Sequence, residues 1–98
     1  MSFVQVIDYK SSKPEEIQRI HDEWTEATKG KRSAKRIMLA KYHDDPNSFC
    51  EIVFFDSYED AMRNSKLPET QEFAKRLKNA IDGEPTYFDL DVVEEQTL

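Results

Sequence analysis

The chain has little cysteine, little glycine and no long apolar run. Of its 98 residues one is cysteine, Cys50, and two are glycine, Gly30 and Gly83. A single cysteine excludes an internal disulfide, and two isolated glycines exclude a glycine-rich phosphate loop. No apolar run reaches the ~20 residues of a membrane span, and no signal peptide precedes the first strand. We therefore expect a cytoplasmic protein that does not bind a membrane.

Basic charge is also scarce, because the chain has 14 lysines and arginines against 20 acidic residues and a net charge of −6. Binding a polyanion would need a local basic patch to overcome that repulsion. The only cluster is Lys29, Lys31, Arg32, Lys35 and Arg36, which is typical of a solvated loop around Gly30. We expect no nucleic-acid partner.

Histidine occurs twice, and neither copy belongs to a metal motif. His43 stands beside Asp44 and Asp45, but this spacing is typical of a solvated turn and no second histidine is near. We therefore predict no bound metal.

The pattern of apolar residues predicts one α+β domain over residues 1–98. Ser12 and Glu15 fit a capping box with Pro14 in the first turn, and Gly30 fits a C-cap. Ser57 with Asp60 gives a weaker capping signal for the second helix, and Pro68 predicts a break after Leu67. Predicted strands cover residues 3–9, 34–43, 48–55 and 86–93, with helices after the first and third. The order β-α-β-β-α-β is the ferredoxin-like arrangement with an antiparallel sheet.

The second and third strands carry apolar residues on both faces. Ile37 and Leu39 alternate with Met38 and Ala40, and the third strand repeats this pattern. Two helices cover only one face, and an exposed apolar sheet usually marks an interface. A domain of this size buries only ~60–65% of its unfolded surface, so a partner would also stabilise it. We expect a face-to-face homodimer.

The segment from the third strand into the broken helix resembles a known family. Phe54-Phe55, Asp56-Ser57, Glu59-Asp60-Ala61 and Asn64-Ser65 through Phe73 are similar to the dimeric α+β barrel proteins of the antibiotic biosynthesis monooxygenase type. The resemblance implies a homodimer with a ligand pocket between sheet and helices in each subunit. It also implies oxidation of aromatic substrates without a metal or flavin, so no cofactor is expected.

Other members of that family have different activities or none assigned. The chain departs from the haem-degrading branch, because its first strand offers Gln5 and Asp8 and residues 57–82 contain neither Trp nor His. Two interpretations stay open: a cofactor-independent monooxygenase, which would be an oxidoreductase, and a non-enzymatic ligand-binding or stress-related protein. In both interpretations the ligand is a small aromatic or apolar molecule, and the sequence does not identify it.

Five residues are predicted to bind that ligand. His21 and Trp24 share the apolar face of the first helix with Ile17, Ile20 and Ala27, where they form either a pocket wall or part of the core. Arg36, Asn64 and Tyr87, with Tyr9, Tyr42 and His43, offer the base and donors that cofactor-free oxygenation needs. For each of these residues, a role in packing or at the surface is the alternative to a role in binding. No catalytic residue is assigned.

The RNA-recognition motif shares this order of elements and is the alternative from another class. Its third strand places aromatic residues where RNA bases stack. Here Phe49 and Phe54 match, but Glu51 stands where the central aromatic residue is expected. A carboxylate at that position would repel RNA, so this interpretation is disfavoured.

Overall fold

Four strands and three helices follow one another in the predicted order. The computed structural model describes residues 2–98. Its elements are β1 Phe3–Lys10, α1 Pro14–Ala27, β2 Arg36–Tyr42, β3 Asp45–Phe55, α2 Tyr58–Ser65, α3 Pro68–Ala80 and β4 Asp82–Asp91. The predicted second helix is thus two helices, and the ferredoxin-like α+β fold is confirmed.

The strands form one antiparallel sheet in the order β2-β3-β1-β4. Ile7 at the centre of β1 lies opposite Glu51 of β3 and Tyr87 of β4. Alternate side chains of a strand point to opposite faces, so these three residues share the face that the helices cover.

The core lies between that face and the helices. The sheet contributes Phe3, Ile7, Tyr9, Phe49, Val53 and Phe55 to it, and the helices contribute Ile17, Ile20, Trp24, Ala61, Leu77 and Ala80. Apart from Trp24, they form two clusters, one under α1 and α3 and one under α2. The space between the clusters is where a cavity remains.

The other face of the sheet has no covering element within the described residues. The register places Val4, Val6, Met38, Ile52, Phe54, Phe88 and Leu90 on it. Met38 is 39% exposed, and Phe88 and Leu90 are each 47% exposed. We call these seven residues the open face.

The helix breaks and caps follow the prediction in α2 and α3 but not in α1. Ser57 caps α2 by accepting a hydrogen bond from the Asp60 N–H at 3.1 Å. Leu67 is extended (φ −63°, ψ 133°), so α3 restarts at Pro68 as predicted.

The predicted capping box at Ser12 is wrong. The N-cap of α1 is Lys13, which makes no side-chain cap bond. The Ser11 hydroxyl instead accepts from the Lys13 N–H at 3.0 Å and donates to the Ala80 carbonyl at 2.7 Å. A tertiary contact to the end of α3 therefore replaces the local cap.

Several element ends also differ from the sequence prediction. Helix α1 ends at Ala27 with Thr28 at the C-cap, so the predicted C-cap at Gly30 is wrong, and the buried Thr28 hydroxyl donates to the Trp24 carbonyl at 2.7 Å. Strand β3 begins at Asp45, which shortens the predicted turn. Strand β4 begins at Asp82, where it pairs with Lys10 beyond an irregularity in β1.

Candidate functional site

A cavity of about 200 Å³ lies between the covered face of the sheet and the three helices. Its lining is mostly apolar, with polar groups contributed by both the sheet and the helices. The lining residues are Gln5, Ile7, Trp24, Ile37, Glu51, Val53, Phe55, Asn64, Ser65, Thr70, Gln71, Phe73, Ala74, Leu77 and Tyr87. An apolar cavity with a few convergent polar groups is the usual form of a small-molecule site.

The unusual member of this lining is Glu51. The alternation of β3 places it on the covered face between Phe49 and Val53, with Ile7 and Leu39 as its cross-strand neighbours. Its exposed fraction is 0%. Carboxylates are almost never fully buried without partners, so its contacts indicate its role.

One carboxylate oxygen of Glu51 is held and the other is not. The Tyr9 hydroxyl donates to Oε2 at 2.5 Å. His21 Nε2 lies 2.9 Å from the same Oε2, within ion-pair distance, although the two atoms are not aligned for a hydrogen bond. Oε1 is equally buried and has no hydrogen-bond partner among residues 2–98. Tyr9 and His21 thus hold the carboxylate by one oxygen.

Two phenols near Glu51 keep their protons at neutral pH. Burial raises the pKa of Tyr9 far above its usual value, and the charge of Glu51 and the hydrogen bond to it raise it further. Burial also raises the pKa of Tyr87, with smaller contributions from Glu51 and Glu84. Both hydroxyls are therefore available as donors and not as bases.

Contacts to α3 fix the wall formed by Trp24. Its indole N–H donates to the Thr70 hydroxyl at 3.0 Å. Phe73 packs against it at 6.0 Å between ring centroids and meets the His21 ring edge-on at 5.2 Å. The indole therefore offers a ligand its apolar surface, since its only donor is occupied.

The break between α2 and α3 forms the polar side of the cavity. Asn64 is only 6% exposed, and its Oδ1 has no hydrogen-bond partner in the part of the chain that the structure describes. Ser65, Thr70 and Gln71 stand on either side of the extended Leu67. The interruption thus brings several polar side chains to an otherwise apolar wall.

The structure brings together four of the five predicted ligand residues. Trp24, Asn64 and Tyr87 line the cavity, and His21 stands beside it through its contacts with Glu51 and Phe73. Arg36 does not line it. Arg36 lies opposite Phe54 in the sheet, and its guanidinium sits 5.1 Å from the Phe54 ring on the side of the open face. The predicted place of Arg36 among the cavity residues is therefore corrected, because the register of β2 places its side chain on the side of the open face.

Glu51 is the site residue that the sequence prediction missed. Phe49, Val53 and Phe55 are inward residues of β3 at alternate positions, and Glu51 stands in that series. The sequence carried one signal for it: a charged residue within the alternating series of inward-facing apolar residues of the same strand. The same register shows that Glu51 does not lie on the open face, where an RNA-recognition strand would place its stacking side chains.

The described residues contain neither a metal cluster nor a membrane helix. Within residues 2–98, no three His, Cys, Asp or Glu side chains are grouped so that they could hold a metal ion. In the same range, no helix is both long enough and apolar enough to cross a membrane. His43 lies in the exposed turn between β2 and β3.

Solved structures match this architecture over nearly its whole length. A variant of SnoaB, a cofactor-independent oxygenase from Streptomyces nogalater, superposes with a TM-score of 0.83 at 14% identity, covering 96% of this chain and 95% of that one. An antibiotic biosynthesis monooxygenase matches with a TM-score of 0.76 at 15% identity, covering 96% and 100%. The chain shares its fold with proteins of the antibiotic biosynthesis monooxygenase type.

Rv0793 from Mycobacterium tuberculosis shares this monooxygenase fold with a TM-score of 0.79 at 9% identity, covering 99% and 100% of the two chains. No protein-family model and no curated protein sequence matches the chain. At these identities the likeness shows the fold, so the chemistry has to be argued from the cavity itself.

Proposed function

We propose that the chain binds a small aromatic or apolar molecule in the cavity beside Glu51, and that it acts on this molecule as a cofactor-independent monooxygenase. The observation that carries the proposal is a fully buried carboxylate in the wall of a mostly apolar cavity. The monooxygenase fold, shared with an enzyme described as a cofactor-independent oxygenase, supports the same function.

The arrangement meets the requirements of oxygenation without a cofactor. The substrate must be converted to an electron-rich anion that can reduce oxygen, which requires a base in a site that excludes water. Among residues 2–98, Glu51 is the only carboxylate that lines the cavity. Its Oε1 has no hydrogen-bond partner in that range and can accept a proton. The Asn64 amide and the Tyr87 hydroxyl offer hydrogen bonds to the oxyanion that forms.

Oxygen consumption tests this function directly. Purified protein is mixed with an anthrone or a quinol, and dissolved oxygen and substrate absorbance are followed together. We expect oxygen uptake above the uncatalysed rate, with Glu51→Gln slower than wild type by about a hundredfold, in the range of general-base contributions. Wild-type protein that does not exceed the uncatalysed rate with any such substrate would contradict the enzymatic proposal.

A non-enzymatic binding protein is the second proposal, and one observation favours it. The indole N–H of Trp24 is occupied by Thr70, so the cavity has few free donors for a developing oxyanion. In that case the same compounds raise the melting temperature but do not increase oxygen uptake. The two measurements on one sample separate the proposals.

The open face leads us to propose a homodimer whose two sheets pack against each other. Seven apolar side chains share this face, and three of them are 39–47% exposed in the single chain. Light scattering at micromolar concentration should give the mass of two chains. A mass near one chain would contradict the proposal. A cytoplasmic location and the absence of a bound cofactor also stay predictions.

A further inference from the structure

Glu51 Oε1 is a buried acceptor for which residues 2–98 provide no donor. The Tyr9 hydroxyl donates to Oε2, and His21 Nε2 lies 2.9 Å from the same oxygen. Oε1 is buried at the cavity wall and has no hydrogen-bond partner in residues 2–98. A buried acceptor without a donor is costly, so its free energy falls when a molecule in the cavity donates to it.

Within residues 2–98, the other polar groups that line the cavity do not donate a hydrogen bond to Oε1. The Trp24 N–H is directed to Thr70 at 3.0 Å, and the Gln5 amide donates to Asp89 at 3.2 Å. The Asn64 amide has a second buried oxygen without a partner, and rotation of that amide lets it present either an acceptor or a donor. An ionised carboxylate can only accept. Glu51 therefore sets the hydrogen-bonding requirement of the cavity.

We propose that Glu51 Oε1 anchors an O–H or N–H group of the ligand, so that the cavity selects an uncharged apolar ring with such a donor. This rests on the proposed ligand-binding function and names the class of ligand. An ether of the same shape cannot donate to Oε1, and a carboxylate analogue is repelled by it. Tyr9 and His21 act as positioning residues, because they hold Oε2 and leave Oε1 to the ligand.

The size of the cavity limits the ring. Its volume of about 200 Å³ lies below the ~300–1,000 Å³ of pockets that hold drug-sized ligands. A molecule of one or two rings is therefore the appropriate probe. β-Naphthol, its methyl ether and β-naphthoate share one ring system and differ in the group that would meet Glu51.

Titration calorimetry of the full chain with these three probes at neutral pH tests the proposal. We expect β-naphthol to bind at least about tenfold more tightly than its methyl ether, and β-naphthoate to bind most weakly, since a charge-assisted hydrogen bond is gained in the first case only. In Glu51→Gln the Tyr9 hydroxyl retains the amide oxygen, so the NH₂ group faces the cavity. That variant should lose at least about tenfold in β-naphthol affinity and gain affinity for β-naphthoate.

Glu59→Gln is the matched control. It makes the same chemical change as Glu51→Gln, but Glu59 lies exposed on α2 outside the cavity. It should bind all three probes as wild type does. Equal wild-type affinities for β-naphthol and its ether overturn the donor requirement and leave the proposed binding function standing. If no probe binds, the binding function fails and the inference fails with it. The wild-type series decides the question even if Glu51→Gln does not fold.

Discussion

Two tyrosine–carboxylate hydrogen bonds in this protein have the same length but different surroundings. Tyr9 donates to Glu51 at 2.5 Å inside the core, and Tyr42 donates to Asp8 at 2.5 Å on the surface. Water can replace the partner of a surface group, but Glu51 is fully buried, so water replaces the Tyr9 hydroxyl there far less readily. The same bond should therefore matter far more at Tyr9.

We expect Tyr9→Phe to lower the free energy of unfolding by about 1.5–3 kcal/mol, the range for hydrogen bonds to charged groups. Tyr42→Phe removes the same hydroxyl from a pair at the β2 edge of the open-face side, where Tyr42 is 45% exposed in the single chain, and should change stability less. Urea denaturation of both variants beside wild type measures the difference. Equal effects of the two substitutions would contradict the role assigned to burial.

The stability of the protein should fall in alkaline solution, partly because of Tyr9. Its pKa is raised in the folded state above the unfolded value of 10.0, so the folded chain keeps a proton that the unfolded chain loses. The unfolded state then binds fewer protons, and the free energy of unfolding falls as pH rises above about 10, by up to ~1.4 kcal/mol per pH unit for one group. Below that pH this contribution is constant.

Tyr9→Phe removes this titration and should flatten the decline. Unfolding is measured at several pH values from neutral to alkaline for wild type and the variant, and the neutral values serve as the control. Curves for the two proteins that stay parallel above pH 10 would show that Tyr9 does not titrate as stated.

At the level of residues, the sequence predicted the apolar wall of the candidate site better than its charged group. Trp24 and Asn64 follow from helical periodicity and from the break at Pro68, which are both local signals. Glu51 depends on the register of β3 against β1 and β2, and Arg36 is placed by the same register. A shift of one residue moves a side chain to the other face, so the register decides such positions.

Among the secondary-structure elements, the two serines that resemble helix caps in the sequence differ in the structure. Ser57 bonds to the Asp60 N–H, whereas Ser12 is exposed and Lys13 occupies the N-cap position of α1. The order of strands and helices followed from local periodicity and was predicted. The start of α1 depends on the contact between Ser11 and Ala80, which are distant in the sequence.

We therefore expect Ser57→Ala to lower the free energy of unfolding by about 1 kcal/mol, as loss of an N-cap does. Ser12→Ala is the control and should stay within about 0.5 kcal/mol of wild type, as most surface substitutions do. Thermal and urea denaturation of the two variants measure both values. A larger loss for Ser12→Ala than for Ser57→Ala would mean that the local capping box forms after all.

For the molecule as a whole, the proposed dimer resolves the contrast between a charged surface and the apolar open face. The chain carries 35% charged residues, yet the open face presents apolar side chains from all four strands. Both features were visible in the sequence as strands with apolar residues on both sides. The covered side of the sheet forms the cavity and the core, and the open face is the surface on which we expect a second copy to pack.

Ile52 lies near the middle of this face, opposite Val6 of β1 and Met38 of β2. If two open faces pack together, Ile52→Asp buries an unpaired carboxylate, which costs ~3–5 kcal/mol. That cost corresponds to a loss of roughly two to four orders of magnitude in dimer affinity. Val93→Asp is the control, because Val93 is 91% exposed and lies beyond the end of β4. Sedimentation across a concentration series should show dissociation of the Ile52 variant alone, and an undissociated Ile52 variant would place the interface on another surface.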